Sequence, residues 1–208
     1  MVTQAIYHHS KKLKDSEILD FATDFIKHSK HSIKPDNLQI LSGHLSSDLS
    51  FVVNELNKLI LNVPEGHDIT AAHIQQFIGI NKEYNVFALT KALGMKKVRE
   101  AIAIADYFSK NTKENHIIPL LSQLHSYFYK ILMYQTMSGI PRNELASAMG
   151  VNPYFLNEYE SATHHYSNKR LYQIMDLLSE YDLRSKKIIE NNADDGALLR
   201  ELVLRILN

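Results

Sequence analysis

Hydrophobic residues recur at helical spacing along nearly the whole chain, and this periodicity constrains the fold more than any other sequence feature. In the strongest example, segment 49–62, one helical face carries Leu49, Val52, Val53, Leu56, Leu59 and Ile60. Glycine and proline, which interrupt helices, number only seven and five among the 208 residues. The pattern therefore predicts an all-α protein with a small helical bundle followed by a larger helical domain.

The amino-acid composition excludes several classes of function. Lysine plus arginine and aspartate plus glutamate both number 23, so the chain has no overall basic field that would attract nucleic acid. The absence of cysteine excludes disulfides and thiolate metal sites, and it suits a cytoplasmic protein. No apolar run approaches the roughly 20 residues that a membrane span requires. We expect a cytoplasmic protein without a membrane segment.

Breaks in the helical pattern divide the chain into two predicted domains, residues 1–82 and residues 83–208. The boundary is placed in segment 79–84, after a helix that ends at Gly79. Segment 2–7 alternates weakly and resembles the end of a strand. In the second domain, a helical hairpin is expected to turn at Gly94, and the helix within 115–138 is the longest. That helix is apolar almost all round, so it is expected to be buried on several sides, in its own domain or against another chain.

Segment 139–160 reads as two short helices joined by a turn. Pro141 is placed to begin the first helix, Gly150 supplies the left-handed turn, and Asn152 precedes the second helix. A helix-turn-helix protein that reads DNA has the same pattern. The second helix, however, carries Glu158 and Glu160 without lysine or arginine, and phosphates would repel these carboxylates.

A structural hairpin is therefore the preferred interpretation of this segment, although a helix-turn-helix transcriptional regulator remains the alternative. The structural interpretation predicts that three aromatic residues of the second helix pack against neighbouring helices: Tyr154, Phe155 and Tyr159.

The sequence predicts no enzyme activity, no cofactor and no metal site. The chain has no phosphate-binding glycine loop and no dinucleotide-binding glycine motif. Two histidine pairs, His28 with His31 and His164 with His165, have metal-ligand spacing, but neither pair has a convincing third ligand. Exposed histidines at helix ends explain both pairs.

The order of several landmarks resembles the delta subunit of the bacterial DNA polymerase III clamp loader. The landmarks are Asp48-Leu49 with Asn54-Glu55-Leu56-Asn57-Lys58-Leu59, Ile69-Thr70 with Ile78-Gly79, Tyr84–Leu89 with Ala92-Leu93, Ala148–Pro153, and Leu177–Lys186. Each landmark alone is a weak indication of the family, but five landmarks in the same order make the resemblance fairly specific. The resemblance implies a chain that begins at the last edge of an AAA+-like domain and continues through a lid-like domain to a helical collar domain.

The resemblance also implies a function and a set of partners. We expect a non-catalytic subunit that joins the other clamp-loader subunits in a collar pentamer. The sliding clamp would be contacted through an N-terminal domain outside this chain, and primer–template DNA through the assembled complex. Interfaces of this kind use exposed apolar anchors. The candidate subunit-interface residues, for which a place in the intramolecular core is an equally open alternative, are Tyr127, Tyr129, Met133, Tyr134, Met137, Leu199 and Val203.

Overall fold

The computed structural model describes residues 15–42, 45, 48–79, 84–113, 115–137, 139–189 and 192–208. Within these ranges the fold is all-α, as the periodicity predicts. The helices are α1 (Asp15–His28), α2 (Pro35–Ser42), α3 (Leu49–Asn62), α4 (Ala71–Ile78), α5 (Val86–Gly94), α6 (Val98–Lys110), α7 (Ile117–Thr136), α8 (Arg142–Met149), α9 (Leu156–Thr163), α10 (Asn168–Ser185) and α11 (Asp195–Leu207). None of these helices is both long enough and apolar enough to cross a membrane.

Polar side chains that precede the apolar stripes begin several of these helices. The Asp48 carboxylate accepts hydrogen bonds from the backbone N–H groups of Ser50 and Phe51 at the start of α3. Thr70 caps α4 in the same way, and α4 ends at Gly79 in the left-handed conformation. Such caps satisfy backbone donors that have no partner inside a helix. The bounds predicted for α3 and the predicted end of α4 at Gly79 are therefore confirmed.

A small parallel ladder, which the sequence did not predict, joins two connecting segments. The strands are β1 (Ser32–Ile33) and β2 (Asp68–Ile69), with Ser32 opposite Asp68 and Ile33 opposite Ile69. Two residues are too few to show the alternation that identifies a strand in a sequence.

The buried apolar side chains of the described residues form two separate core clusters. The first cluster lies on α1–α4 and the segments between them, from Ile18 to Ile74. The second lies on α5–α11 and runs from Leu89 to Ile206. Segment 80–83, which contains most of the predicted boundary, and the strand-like segment 2–7 lie outside the described residues.

The long helix α7 is the centre of the second cluster and packs against α5, α8, α9, α10 and α11. Helix α11 packs against both α6 and α10. Arg184 of α10 pairs with Glu201, and Arg205 pairs with Glu180, so α10 and α11 run antiparallel. The backbone of Ser109 lies against Gly196, which makes α6 antiparallel to α11 as well. The first residues of α6 and of α10 therefore both lie near the last residues of α11.

The α5–α6 hairpin forms as expected, but the prediction that it turns at Gly94 is wrong. Gly94 is the last residue of α5, and the left-handed conformation of the turn belongs to Lys96, with φ 49°. Gly94 has a packing role instead, because a Cβ at this position would collide with the side chain of Tyr127. Spacing along the chain could not reveal that contact, since Tyr127 lies on another helix.

Candidate subunit-interface surface and interdomain cleft

Three of the predicted interface residues lie in the intramolecular core. Tyr127, Leu199 and Val203 are all buried in the second cluster. This corrects their assignment to a subunit interface for the conformation described, because a buried side chain offers almost no accessible surface to a partner. These residues are apolar and recur at helical spacing, as predicted. That pattern is the same for the core of a chain and for a contact with another chain, so it cannot distinguish the two.

The other predicted interface residues follow one another along α7 and at its end. Tyr129 is 49% exposed. Met133, Tyr134 and Met137 are half-buried, each packed on one side against the second cluster. These four side chains present apolar surface beside the core, which is the arrangement of an interface anchor.

Ile118 extends this surface and was missed by the sequence reasoning. It is 46% exposed and lies eleven residues before Tyr129, which is about three helical turns. His125 lies between them and stacks on Tyr129 with ring centroids 6.4 Å apart. The exposed side of α7 therefore carries Ile118, His125 and Tyr129 at helical spacing. Counting positions from Tyr129 at that spacing would have identified Ile118.

The hairpin of α8 and α9 has the predicted turn geometry. Gly150 ends α8 in the left-handed conformation with φ 65°, and the side chain of Asn152 caps a short 3-10 turn, Pro153–Phe155, that leads into α9. Arg142 of α8 donates hydrogen bonds to Asn157 and to Glu160 on α9. The exposed arginine of the hairpin is thus engaged within the hairpin, which weakens the DNA-reading interpretation.

The three aromatic residues of this hairpin have different environments. Phe155 and Tyr159 are buried, which confirms the packing predicted for them. Tyr154 is 55% exposed, so the prediction is wrong for this residue. It stands edge-on to Phe155 with ring centroids 5.2 Å apart, and its position in the 3-10 turn directs it away from the core.

A cleft of about 370 Å³ lies between the two core clusters. Ile18 and Leu45 line it from the first cluster, and Val86 and Phe155 line it from the second. The Gln39 side chain crosses the cleft and donates a hydrogen bond of 3.3 Å to the Glu158 carboxylate. This bond joins α2 to α9, so it connects elements of the two clusters.

Glu158 and Tyr127 meet at the wall of this cleft. Burial raises the pKa of the Glu158 carboxyl, although the hydrogen bond from Gln39 and the charge of Lys91 act in the opposite direction. Burial also raises the pKa of Tyr127, and the negative charge of Glu158 adds to that increase. The Tyr127 hydroxyl faces Glu158 but has no partner at hydrogen-bonding geometry within the described residues. The sequence did not predict the burial of Glu158, because burial by distant residues leaves no local signal.

Histidines do not assemble a metal site in the part of the chain that the structure describes, where no cluster of three suitable ligands occurs. His31 is a buried residue whose two ring nitrogens lie 2.7 Å and 3.0 Å from the backbone carbonyl oxygens of Ser29 and Val63. His28 lies against the carbonyl oxygen of Asp24. Both rings are engaged with the backbone, and such contacts explain their presence without a ligand role.

The helical fold of this chain is shared with a protein of known structure. It is similar to the structure of the Bacillus subtilis DNA clamp loader delta protein, with a TM-score of 0.61 and 21% sequence identity. That likeness covers 95% of this chain and 57% of the Bacillus protein.

The sequence comparisons identify the family. The family of the DNA polymerase III delta subunit, C-terminal domain, matches residues 83–205, and the chain belongs to this family. It is also similar to DNA polymerase III subunit delta of Bacillus subtilis strain 168, with 25% identity over 215 aligned positions. That alignment covers 98% of this chain and 59% of the relative. The chain thus spans less than two thirds of the curated relative it matches, and the family match gives no support to a transcriptional regulator.

Proposed function

We propose that this chain is a non-catalytic assembly part of a DNA polymerase III clamp loader, which acts in the cytoplasm during DNA replication. The observation that carries the proposal is the family match over residues 83–205. The matched region contains nearly all of the second core cluster, so the likeness extends over a complete helical packing unit. The structural relative is a DNA clamp loader delta protein, which agrees with this proposal.

We assign a separate role to each part of the chain. Residues 83–208 would form the collar domain that joins other clamp-loader subunits in a pentamer. Residues 1–82 would comprise the edge of an AAA+-like domain and the lid-like domain that follows it. Two separate hydrophobic cores support this division, because a unit with its own core can move as one body.

The proposed contact with neighbouring subunits is the exposed side of α7, defined here as the α7 surface. It comprises Ile118, Tyr129, Met133 and Met137. Tyr134, the remaining candidate, lies about 140° round the helix from Tyr129, on the side that faces Glu160. Aromatic and methionine side chains are enriched in interface cores, where they exchange exposed apolar surface for tight packing. The α7 backbone is buried on its other sides, so these side chains would be held on a rigid support.

Contact with the sliding clamp would not involve this chain, and primer–template DNA would be a ligand of the whole loader. The clamp would be gripped by an N-terminal domain of the subunit, and the assembled complex would hold the DNA. Conformational changes driven by ATP in other subunits would then reach the clamp-gripping domain through the collar. This chain would transmit that movement without catalysing a reaction.

Co-expression with the other clamp-loader subunits of the same organism tests the proposal. A tagged copy of this chain should recover the other subunits, and the complex should elute from size-exclusion chromatography ahead of the isolated chain. A chain that is folded by circular dichroism but recovers none of the subunits at micromolar concentration would contradict the assembly role.

A further inference from the structure

Two short segments that are distant in the sequence form a basic surface in the structure. Segments 96–99 and 164–170 together carry five lysine or arginine residues, two histidines and no aspartate or glutamate. Tyr166 connects them, because its hydroxyl donates a hydrogen bond of 2.6 Å to the Leu93 carbonyl oxygen. The Lys96 ammonium also lies 5.3 Å from the centre of the Tyr166 ring. The start of α6 and the start of α10 are thereby held at one end of the helical layer.

Two of these cations have a structural explanation. Lys96 donates a hydrogen bond of 3.5 Å to the Leu207 carbonyl oxygen, and Arg170 donates one of 3.2 Å to the Ile206 carbonyl oxygen. Carbonyl oxygens in the last turn of a helix lack partners within the helix, and positive charge near them is stabilising. Lys96 and Arg170 therefore stabilise the end of α11.

The remaining cations have no such explanation. Arg99 and Lys169 are exposed and make no side-chain hydrogen bond or ion pair with any described residue. Among the residues that the structure describes, Lys97 pairs with Glu100 alone, and both side chains are more than half exposed, so solvent screens the pair. Each cation lies in the first turn of a helix or beside it, where the helix dipole disfavours positive charge. These charges do not stabilise the helices that carry them, which indicates an external anionic partner.

An exposed aromatic side chain narrows the class of that partner. Tyr172 is 57% exposed and follows Lys169 by three residues, so the two side chains are neighbours on α10. Cationic side chains beside an exposed aromatic ring are typical of surfaces that bind single-stranded nucleic acid, because phosphates meet the charges and a base stacks on the ring. An acidic protein segment would use the charges but would gain little from Tyr172.

We propose that the basic surface, defined by Lys97, Arg99, Lys169 and Tyr172, binds single-stranded nucleic acid through its phosphodiester backbone and one stacked base. Because α6 and α10 both pack on α11 and helix axes pack about 8–10 Å apart, the surface spans roughly 20 Å. It is separate from the α8–α9 hairpin, whose second helix is acidic. The proposal goes beyond the assembly role and does not rest on it.

Fluorescence anisotropy with a labelled oligothymidine of about 20 nucleotides tests the proposal on the 208-residue chain. The variant Lys97→Ala/Arg99→Ala/Lys169→Ala should bind at least about a hundredfold more weakly at about 50 mM salt. Three lost phosphate contacts should also reduce the slope of log affinity against log salt by about 2. Tyr172→Ala should weaken binding at least about fivefold without changing that slope, since it removes stacking and no charge.

A matched control removes three exposed lysines outside the basic surface. Lys34→Ala/Lys110→Ala/Lys113→Ala lowers the net charge by the same amount, so it should retain the affinity and the salt slope of the unmodified chain. Circular dichroism and melting temperature establish that both triple variants are folded.

Four outcomes would overturn the proposal. The first is no binding of oligothymidine by the unmodified chain at about 50 mM salt, and the second is an equal loss of affinity in the two triple variants. The third is binding of polyglutamate as tight as that of oligothymidine with no effect of Tyr172→Ala, which would indicate an acidic protein partner. The fourth is lost recovery of the other clamp-loader subunits by Lys97→Ala/Arg99→Ala/Lys169→Ala with unchanged oligothymidine binding, which would make this surface a subunit contact. Failed assembly of the unmodified chain would contradict the assembly role alone.

Discussion

The side chain of Tyr127 occupies the space that a side chain at position 94 would need. A Cβ on Gly94 would lie 2.9 Å from Tyr127 Cζ and closer still to the hydroxyl oxygen. Helix α5 can therefore approach α7 at this point only because residue 94 has no side chain. The same Tyr127 hydroxyl faces Glu158 at the cleft, so one buried residue connects the helical hairpin, the long helix and the wall of the cleft.

Replacement of Gly94 by alanine should destabilise the chain. In an unobstructed helix, glycine to alanine stabilises by about 0.5–1 kcal/mol. Here the added methyl group collides with Tyr127, and overpacking of this kind costs about 1–3 kcal/mol. We expect Gly94→Ala to lower the free energy of unfolding, measured by urea denaturation, by about 1–2 kcal/mol.

The double variant Gly94→Ala/Tyr127→Phe tests the cause of that loss. Removal of the hydroxyl relieves the closest contact, so the double variant should regain part of the lost stability, and a double-mutant cycle measures the coupling. Tyr127→Phe alone should be nearly neutral, because the hydroxyl has no hydrogen-bond partner among the described residues. A stabilising Gly94→Ala would contradict the packing argument.

Glu158→Gln should raise the melting temperature at neutral pH. Burial raises the pKa of the Glu158 carboxyl, so the folded chain favours its protonated form. Stability from a raised carboxyl pKa is complete below the unfolded pKa and is lost as the pH rises through the folded pKa. Glutamine stays neutral and can still accept the hydrogen bond from Gln39. The difference in melting temperature should be largest near neutral pH and vanish in acid.

Glu144→Gln on the exposed side of α8 is the matched control for this experiment. It removes one carboxylate without altering a buried group, so its melting temperature should follow that of the unmodified chain across the pH range. If Glu158→Gln and Glu144→Gln have the same pH profile, then burial of Glu158 does not govern the effect.

Arg184→Lys should destabilise the contact between α10 and α11. The Arg184 guanidinium donates two hydrogen bonds to the Glu201 carboxylate, at 3.2 Å and 3.1 Å, and lies 4.6 Å from the centre of the Tyr181 ring. Lysine cannot reproduce this planar two-bond contact, so unfolding free energy should fall by about 1 kcal/mol. Arg200→Lys should change it by less than about 0.5 kcal/mol, because Arg200 has one exposed contact at 3.9 Å.

The loss of stability in Arg184→Lys should depend on pH in one direction. The hydrogen bond from Arg184 holds the pKa of Glu201 below its ordinary value. A lowered carboxyl pKa contributes stability above the unfolded pKa, and that stability is lost as the pH falls through the folded pKa. The difference between the Arg184→Lys variant and the unmodified chain should therefore persist at neutral pH and shrink in acid. A difference that grows in acid would exclude the Glu201 contact as its source.

Tyr129→Ala should weaken assembly without changing the fold. A large exposed aromatic residue at the centre of an interface commonly contributes about 2 kcal/mol or more to binding. Recovery of the other clamp-loader subunits should fall, while the melting temperature of the isolated chain stays within a few degrees. Tyr154→Ala, which removes a similarly exposed tyrosine from the α8–α9 hairpin, is the control. Equal recovery with both variants would exclude Tyr129 as an interface anchor.

Short-range sequence signals, such as helix caps and helix-ending glycines, predicted much of the fold. Gly79 and Gly150 end helices in the left-handed conformation, as their positions indicated, and Asp48 and Thr70 cap α3 and α4. Asp182 and Lys186, four residues apart on α10, also form an ion pair, with 2.6 Å between the charged atoms. These features depend on residues within one or two helical turns, so their signal is complete in a short segment of sequence.

The sequence predicted the residues of the candidate sites less well than it predicted the helices. The apolar character of α7 was evident, but its division into buried Tyr127 and exposed Tyr129 depends on which helices surround it. Ile118 could have been found by extending the helical spacing from Tyr129. The contact of Gln39 with Glu158 could not, since 119 residues separate the two positions.

The sequence by itself determined the helices, their caps and the order of landmarks that indicates the delta-subunit family. The tertiary structure alone decided that Leu199 and Val203 face the core, that Gly94 makes room for Tyr127, and that two distant basic segments meet at the end of α11. The physical reason is the sequence separation over which each interaction acts. Helix propensity and capping act between neighbours in the chain, whereas burial and charge clustering depend on residues that only folding brings together.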